Sequence, residues 1–201
     1  SGFKISIADL SIRGAGTLLG AEQHGHIERV GYEMYIELLN RAIEELKTGK
    51  TASDHDIDFK VDASAYIRND YVSARDKLRI YKRISAIMTI AERNSLIKEL
   101  TEVYGDVDAP LRNLMGIALI KNLSRGLDVK RVVAGKSGVG VNFHSDAVFG
   151  NRELLGVVAE HAKDVVLTQT IPPSLVFNSA GLTPEEKIEM LVRFFSDVVS
   201  K

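Results

Sequence analysis

The sequence has no cysteine and no tryptophan, and its 201 residues include only 4 prolines. Without cysteine there is neither a disulfide framework nor a cysteine-bound zinc ribbon, and a cytosolic setting is the simpler expectation. Excess charge is missing too: 26 lysines and arginines meet 27 aspartates and glutamates, a formal net charge of −1. No global field draws such a chain to nucleic acid or to a membrane surface, so any such contact must be local. Long apolar runs are also absent, all of them falling far short of a membrane span. The first residues, Ser-Gly-Phe-Lys-Ile-Ser, lack the basic-then-apolar order of a signal peptide and contain no initiator methionine. They stand already in patterned sequence, and the chain reads as a piece of a longer protein.

What is present is ordinary soluble globular composition, 45% hydrophobic and 26% charged. The length suits one generous domain or a domain with an appendage. Residues 3–12 alternate at Phe3, Ile5 and Ile7, then change spacing at Leu10 and Ile12, which leaves strand and short helix both open. A turn-rich run holding Gly14, Gly16, Gly20 and Gly25 follows. From Ile27 the period is helical: Ile27, Val30, Met34, Leu38, Ala42, Ile43 and Leu46 form one stripe, and Gly49 is a plausible stop. The polar stretch 50–60 reads as a linker dividing residues 1–49 from a domain over 61–201.

Past that boundary Val61, Ala63 and Ala65 alternate as in an extended segment. A helix is expected to start near Ser73 and run through Leu78, Tyr81, Ile84 and Met88. Thr89-Ile-Ala-Glu92 fits a capping box for a second helix that buries Leu96, Leu100 and Val103 and ends at Gly105. Asp108 caps a third, with Pro110 in its first turn and an end near Gly126. The β-like runs "VKRVVAG" and "GVGVNFH" meet at a glycine turn. A helix over about 151–162, the runs "DVVLTQT" and "SLVFN", and a helix opened by the Thr183-Pro184-Glu185-Glu186 box complete the chain. Helices precede a small meander, so the fold class is α+β: a helix-rich domain with a small, mainly antiparallel sheet, behind an amino-terminal appendage.

Several motifs invite chemistry. Gly135-Lys136-Ser137 resembles the end of a phosphate loop, but the glycine needed five positions earlier is Lys130 and the next segment reads as a strand. A hairpin turn is the better reading. His24 and His26 lack the further ligands that zinc takes, and no serine or cysteine nucleophile sits in a recognisable elbow. Arg68, Arg75, Lys77, Arg79, Lys82 and Arg83, interleaved with Tyr71 and Tyr81, could form a nucleic-acid face or a solvated helix face with two packed tyrosines. Glu99 and Glu102 stand three apart on one helix face. They form either an exposed acidic edge or a contact for arginines of a partner surface, where bidentate pairing gives orientation. In the opening run, Arg13 and Gln23 add a charged fork and an amide to backbone that Gly14 and Gly16 free for tight approach. A structural turn and a loop pressed against another domain or a phosphate backbone both fit.

At this run the sequence resembles a known family. "GFKISIADLSIRGAGTLLGAEQHGHIERVGYEMYIELL" looks like the translocation motif shared by the bacterial transcription-repair coupling factor and the RecG helicase. "RGAG" in place of "RGPG", the "GYEMYIELLNRAIEELK" helix and the later "DYVSARDKLRIYKRIS … ELTEVYGDVDAPLRNL" resemble the coupling factor in order. The resemblance covers most of residues 2–130 and beyond that rests on element order. It implies that residues 1–49 are a helical hairpin and loop coupling ATP hydrolysis to movement on duplex DNA, with Arg13, Gly14, Gly16 and Gln23 in the motif. The first ten residues are then expected to be helical. ATP and magnesium are implied for the parent's motor, not for this chain, which has no Walker sequences and is expected to be non-catalytic. The parent of such a chain binds RNA polymerase, UvrA and duplex DNA in the cytoplasm. The remainder resembles the domain that packs on the amino-terminal UvrB-like module and masks its UvrA-binding surface. The family's acidic pair maps onto Glu99 and Glu102, though its second position is often aspartate and the next residue often arginine, where this chain has Val103.

Overall fold

Every α-helix of the domain starts at a side chain that satisfies one of its free N–H groups. The computed structural model describes residues 57–201. The expectations for residues 1–49, with Arg13, Gly14, Gly16 and Gln23, lie outside the described residues. Within them α1 spans Ala74–Ser85, α2 Ile90–Tyr104, α3 Ala109–Leu123, α4 Arg152–Glu160 and α5 Pro184–Val199. Their caps are Ser73, Thr89, Asp108, Asn151 and Thr183, whose oxygens accept from Asp76, Glu92, Leu111, Leu154 and Glu186. The box at Thr183 is complete, with its own N–H donating to the Glu186 carboxylate at 2.8 Å. At Thr89 the return bond lands one residue early: Glu92 accepts from the N–H of Met88, at 2.7 Å.

Five strands, β1 (Asp58–Val61), β2 (Val129–Gly135), β3 (Gly138–Phe143), β4 (Val165–Leu167) and β5 (Ser174–Phe177), form one sheet ordered β1-β2-β3-β5-β4. Only β1 and β2 run parallel; the other three pairs are antiparallel. The α+β class and the mainly antiparallel sheet read from the sequence are what the described residues adopt. Lys136 and Ser137 join β2 and β3 as a hairpin turn, so Gly135-Lys136-Ser137 forms no phosphate loop. Strand β1 takes Asp58, Phe59 and Lys60 out of the stretch read as a linker.

One face of the sheet is core: Val132, Ala134, Val139, Val141, Phe143, Leu175 and Phe177 are buried. Helix α5 packs against β2 on one side and α3 on the other, while α1 and α2 both lie on α3. Caught in the middle, α3 buries residues all round its circumference, Leu111, Leu114, Met115, Leu119 and Ile120 at 1% exposure or less. Gly116 lets α5 approach: a Cβ there would stand 2.6 Å from Cγ2 of Ile188. The two asparagines buried in α3 brace its neighbours. Asn113 Nδ2 donates to the Ser64 carbonyl at 3.0 Å, and Asn122 Nδ2 donates to those of Ser85 and Ile87 at 2.8 Å each.

Two expectations fail: the first helix stops short of Met88, and Val103 is not core. Met88 lies beyond the end of α1 and is 50% exposed, and Val103 is 64% exposed. Val103 is three residues past Leu100 and seven past Leu96, a spacing that suits one stripe. The buried row of α2 instead runs Arg93, Leu96, Leu100, and α3 covers no wider a band.

Candidate functional site

The surface made by α1 and α2 is set from beneath. Ile80, Tyr81 and Ile84 of α1, and Leu96 and Leu100 of α2, are buried, so the residues between them on the helical period face outward. Two side-chain bridges join the helices across this surface. Arg79 Nη2 donates to the Tyr104 hydroxyl at 3.0 Å, and Arg83 donates through Nη1 and Nη2 to the two oxygens of Glu99, at 2.5 and 2.7 Å. Position 79 meets 104 and 83 meets 99, the reversed order of an antiparallel pair. The end of α2 is pinned by Tyr71, whose hydroxyl donates to the Gly105 carbonyl at 2.8 Å and whose ring lies 5.9 Å from that of Tyr104. Burial raises the Tyr71 phenol above its ordinary pKa, with Asp108 and Asp106 adding to the effect.

Glu99 and Glu102 both sit on the exposed face of α2, as their spacing suggests. Their electrostatics differ. The Glu99 carboxyl is held below the usual carboxylate range, first by the hydrogen bonds from Arg83, with the charges of Arg83 and Arg79 adding to them against desolvation. No hydrogen bond or ion pair among the described residues engages Glu102. Val103, four residues past Glu99 and next to Glu102, adds an exposed apolar patch beside the two carboxylates. Such a face can take a guanidinium fork at either carboxylate and an apolar contact between them.

The basic segment is largely spoken for. Arg68 pairs with Asp70 at 3.1 Å and Asp108 at 3.3 Å, Lys77 donates to Asn69 at 2.8 Å, and Arg79 pairs with Asp76 at 3.2 Å. With Arg83 on Glu99, this leaves Arg75 and Lys82 as the cations of the segment without such a partner among the described residues. Tyr81 is buried and Tyr71 half-buried, so the interleaved tyrosines are packing groups and not base-stacking ones.

Three features escaped sequence reasoning. Arg83 and Glu99 are 16 residues apart and on different helices, and no local pattern links them. Arg93 of α2 and Glu189 of α5, 96 residues apart, make a second bidentate pair at 2.8 and 2.9 Å. An open pocket of about 430 Å³ is lined by α5, the start of β4 and the 178–183 turn, with Phe177, Met190 and Phe194 beside His161, Asp164 and Arg193. Among the described residues no group of three or more His, Asp or Glu could hold a metal ion, and no helix is long and apolar enough to cross a membrane.

Residues 61–152 match the TRCF domain family. That stretch contains all of α1, α2 and α3, and therefore both carboxylates of the exposed face. The chain is 30% identical over 195 residues to the transcription-repair-coupling factor of Borreliella burgdorferi, an alignment covering 96% of this chain and 17% of that protein. It is 37% identical over 150 residues to the Bacillus subtilis factor, covering 73% of this chain and 13% of its relative. The chain is thus similar to the transcription-repair-coupling factors over much of its own length, while spanning about one sixth or less of the length of these relatives. The fold agrees: a crystal structure of the C-terminal domain of a transcription-repair coupling factor superimposes with a TM-score of 0.61 at 19% identity, over 74% of this chain and 95% of that one.

Proposed function

We propose that this chain is the carboxy-terminal part of a transcription-repair coupling factor, and that its domain acts without catalysis as a mask. In this reading Glu99 and Glu102 bind basic residues of the amino-terminal UvrB-like module of the same protein and cover its UvrA-binding surface. The observation that carries the reading is the face of α2: two exposed carboxylates and an exposed valine on a domain that matches the TRCF family. One of the carboxylates already takes a guanidinium fork, which supports arginine as the type of group recognised. An ion-pair contact of this kind is specific yet reversible, because partly hydrated charges exchange partners at modest cost.

Residues 1–49 are proposed to be the translocation motif, with Arg13 linking the loop to motor elements or DNA phosphate and Gln23 holding its shape. ATP and magnesium then belong to the parent's motor, together with its binding of duplex DNA, RNA polymerase and UvrA, and the setting is the cytoplasm. The second reading, a nucleic-acid module built on residues 75–83, is disfavoured by the internal pairing of Arg79, Arg83 and Lys77.

Calorimetric titration of the chain with the isolated UvrB-like module tests the mask. Saturable binding that weakens in Glu99→Ala or Glu102→Ala, and weakens with added salt, is the expected result. A folded chain that does not bind, or binds equally well after both changes, refutes it.

A further inference from the structure

We propose that Arg83 is an internal competitor for the Glu99 carboxylate, so that α2 offers a partner its full acidic pair only after the guanidinium of α1 lets go. The inference rests on the masking role proposed above and assigns that contact a built-in brake.

The geometry makes the competition direct. Arg83 uses both of its terminal nitrogens and takes both Glu99 oxygens, 2.5 and 2.7 Å apart from them. A carboxylate keeps other lone pairs for single donors, but it offers the parallel two-bond arrangement to one fork at a time. A partner arginine that seeks this arrangement must displace Arg83. Glu102, one helical turn further on, carries no such occupant among the described residues. Engagement therefore starts at Glu102 and is completed by exchange at Glu99.

Displacement is within reach energetically. The Arg83 and Glu99 side chains are 45% and 52% exposed, so water replaces the lost contacts on both as the pair opens. Pairs this exposed contribute little to folding, and their loss leaves no buried charge behind. Arg83 is also well placed to move: Ile80, Tyr81 and Ile84 bury the other side of α1, and the fork lies outside that packing. The cation that stays near Glu99 is Arg79, already held by Asp76 and Tyr104.

The test is calorimetric binding of the UvrB-like module to the full chain carrying Arg83→Met, which keeps an apolar stem and removes every donor. Arg83→Met should bind about two- to fivefold tighter than the unaltered chain, the scale of one exposed ion pair converted to affinity. Glu99→Gln should cost more in the Arg83→Met background than alone, because with Arg83 present part of the Glu99 contact is offset by the pair it breaks, whereas Glu102→Gln should cost the same in both. Thermal unfolding of each variant, and Arg83→Lys as a milder change, separate competition from misfolding. Binding that needs both glutamates but is unchanged or weakened by Arg83→Met overturns the competitor and spares the mask. Binding indifferent to both glutamates, or none at all by folded variants, overturns the two together.

Discussion

Asn122 donates from the centre of the domain to the carbonyls of Ser85 and Ile87, at 2.8 Å each, so α3 holds the turn between α1 and α2 by a single side chain. The turn separates the helix that carries Arg83 from the helix that carries Glu99, and its position sets where the two charged groups meet. Asn122 is 7% exposed, and removing its amide leaves the buried Ile87 carbonyl and the part-buried Ser85 carbonyl without this donor. Asn122→Leu is expected to destabilise the domain by about 1–3 kcal/mol, the usual cost of an unsatisfied buried polar group. Urea unfolding should show the midpoint falling with little change in slope. An unchanged midpoint would mean that water reaches these carbonyls and the brace is unimportant.

Gly116 is a packing glycine, not a flexible one. The Cγ2 of Ile188 would lie 2.6 Å from an added Cβ, and that methyl sits on a β-branched, 3%-exposed side chain with little room to turn. Gly116→Ala should gain slightly in helix propensity yet lose about 1–3 kcal/mol overall through overpacking between α3 and α5. Measured against the single variants by the same titration, the added cost of Gly116→Ala should persist beside Ile188→Val, which keeps Cγ2, and shrink beside Ile188→Ala, which removes it. Equal stability for Gly116→Ala and the parent would show that α5 can shift away without cost.

Arg93 and Glu189 couple α2 to α5, and their burial is unequal. Arg93 is 9% exposed and its Nε has no hydrogen-bond partner, while the Glu189 side chain is 35% exposed. Hydrogen bonds from Arg93 depress the Glu189 pKa, ahead of the opposing desolvation. A carboxyl depressed in the folded state lends stability that is present above the unfolded value, about 4.3, and is lost as pH falls through the lower folded value. Glu189→Gln should therefore flatten the fall in stability below about pH 5. At neutral pH it should cost about 2 kcal/mol or more by stranding the buried guanidinium, whereas Arg93→Met should cost less because Glu189 can turn to water and to Arg193 at 3.9 Å. Equal losses in the two variants would refute this asymmetry.

How much of this was legible in the chain follows from where each signal resides. Ser73, Thr89, Asp108 and Thr183 announce helix starts because capping is a contact within four residues, and sequence preserves such contacts. The hairpin at Lys136-Ser137 was readable for the same reason. Helix α3 shows almost no polar face because α1, α2 and α5 cover it from several sides, a fact about neighbours and not about period. Val103 misled for the converse reason: it fits the stripe, but α3 does not reach it. Glu99 and Glu102 could be placed on one face by their spacing, with the resemblance supplying a role. Arg83 could not be assigned to Glu99, since pairing across 16 residues depends on how two helices lie on a third.

The pairing of the basic segment also limits what it can do with nucleic acid. Arg75 and Lys82 are its cations without partners among the described residues, and each further phosphate contact would have to break an ion pair or hydrogen bond at Arg68, Lys77, Arg79 or Arg83. Counterion release scales with the phosphates neutralised, about 0.9 log unit of affinity per log unit of salt for each on duplex DNA. The segment should therefore contribute a slope of about two contacts at most, and Arg75→Ala with Lys82→Ala should remove it. Fluorescence anisotropy with a labelled duplex, repeated across a salt series on the intact chain and the double variant, measures both. A steep slope, of about five contacts or more, that disappears when Arg79 and Arg83 are changed would mean the pairs open for phosphate, and the nucleic-acid reading of residues 75–83 would replace the mask.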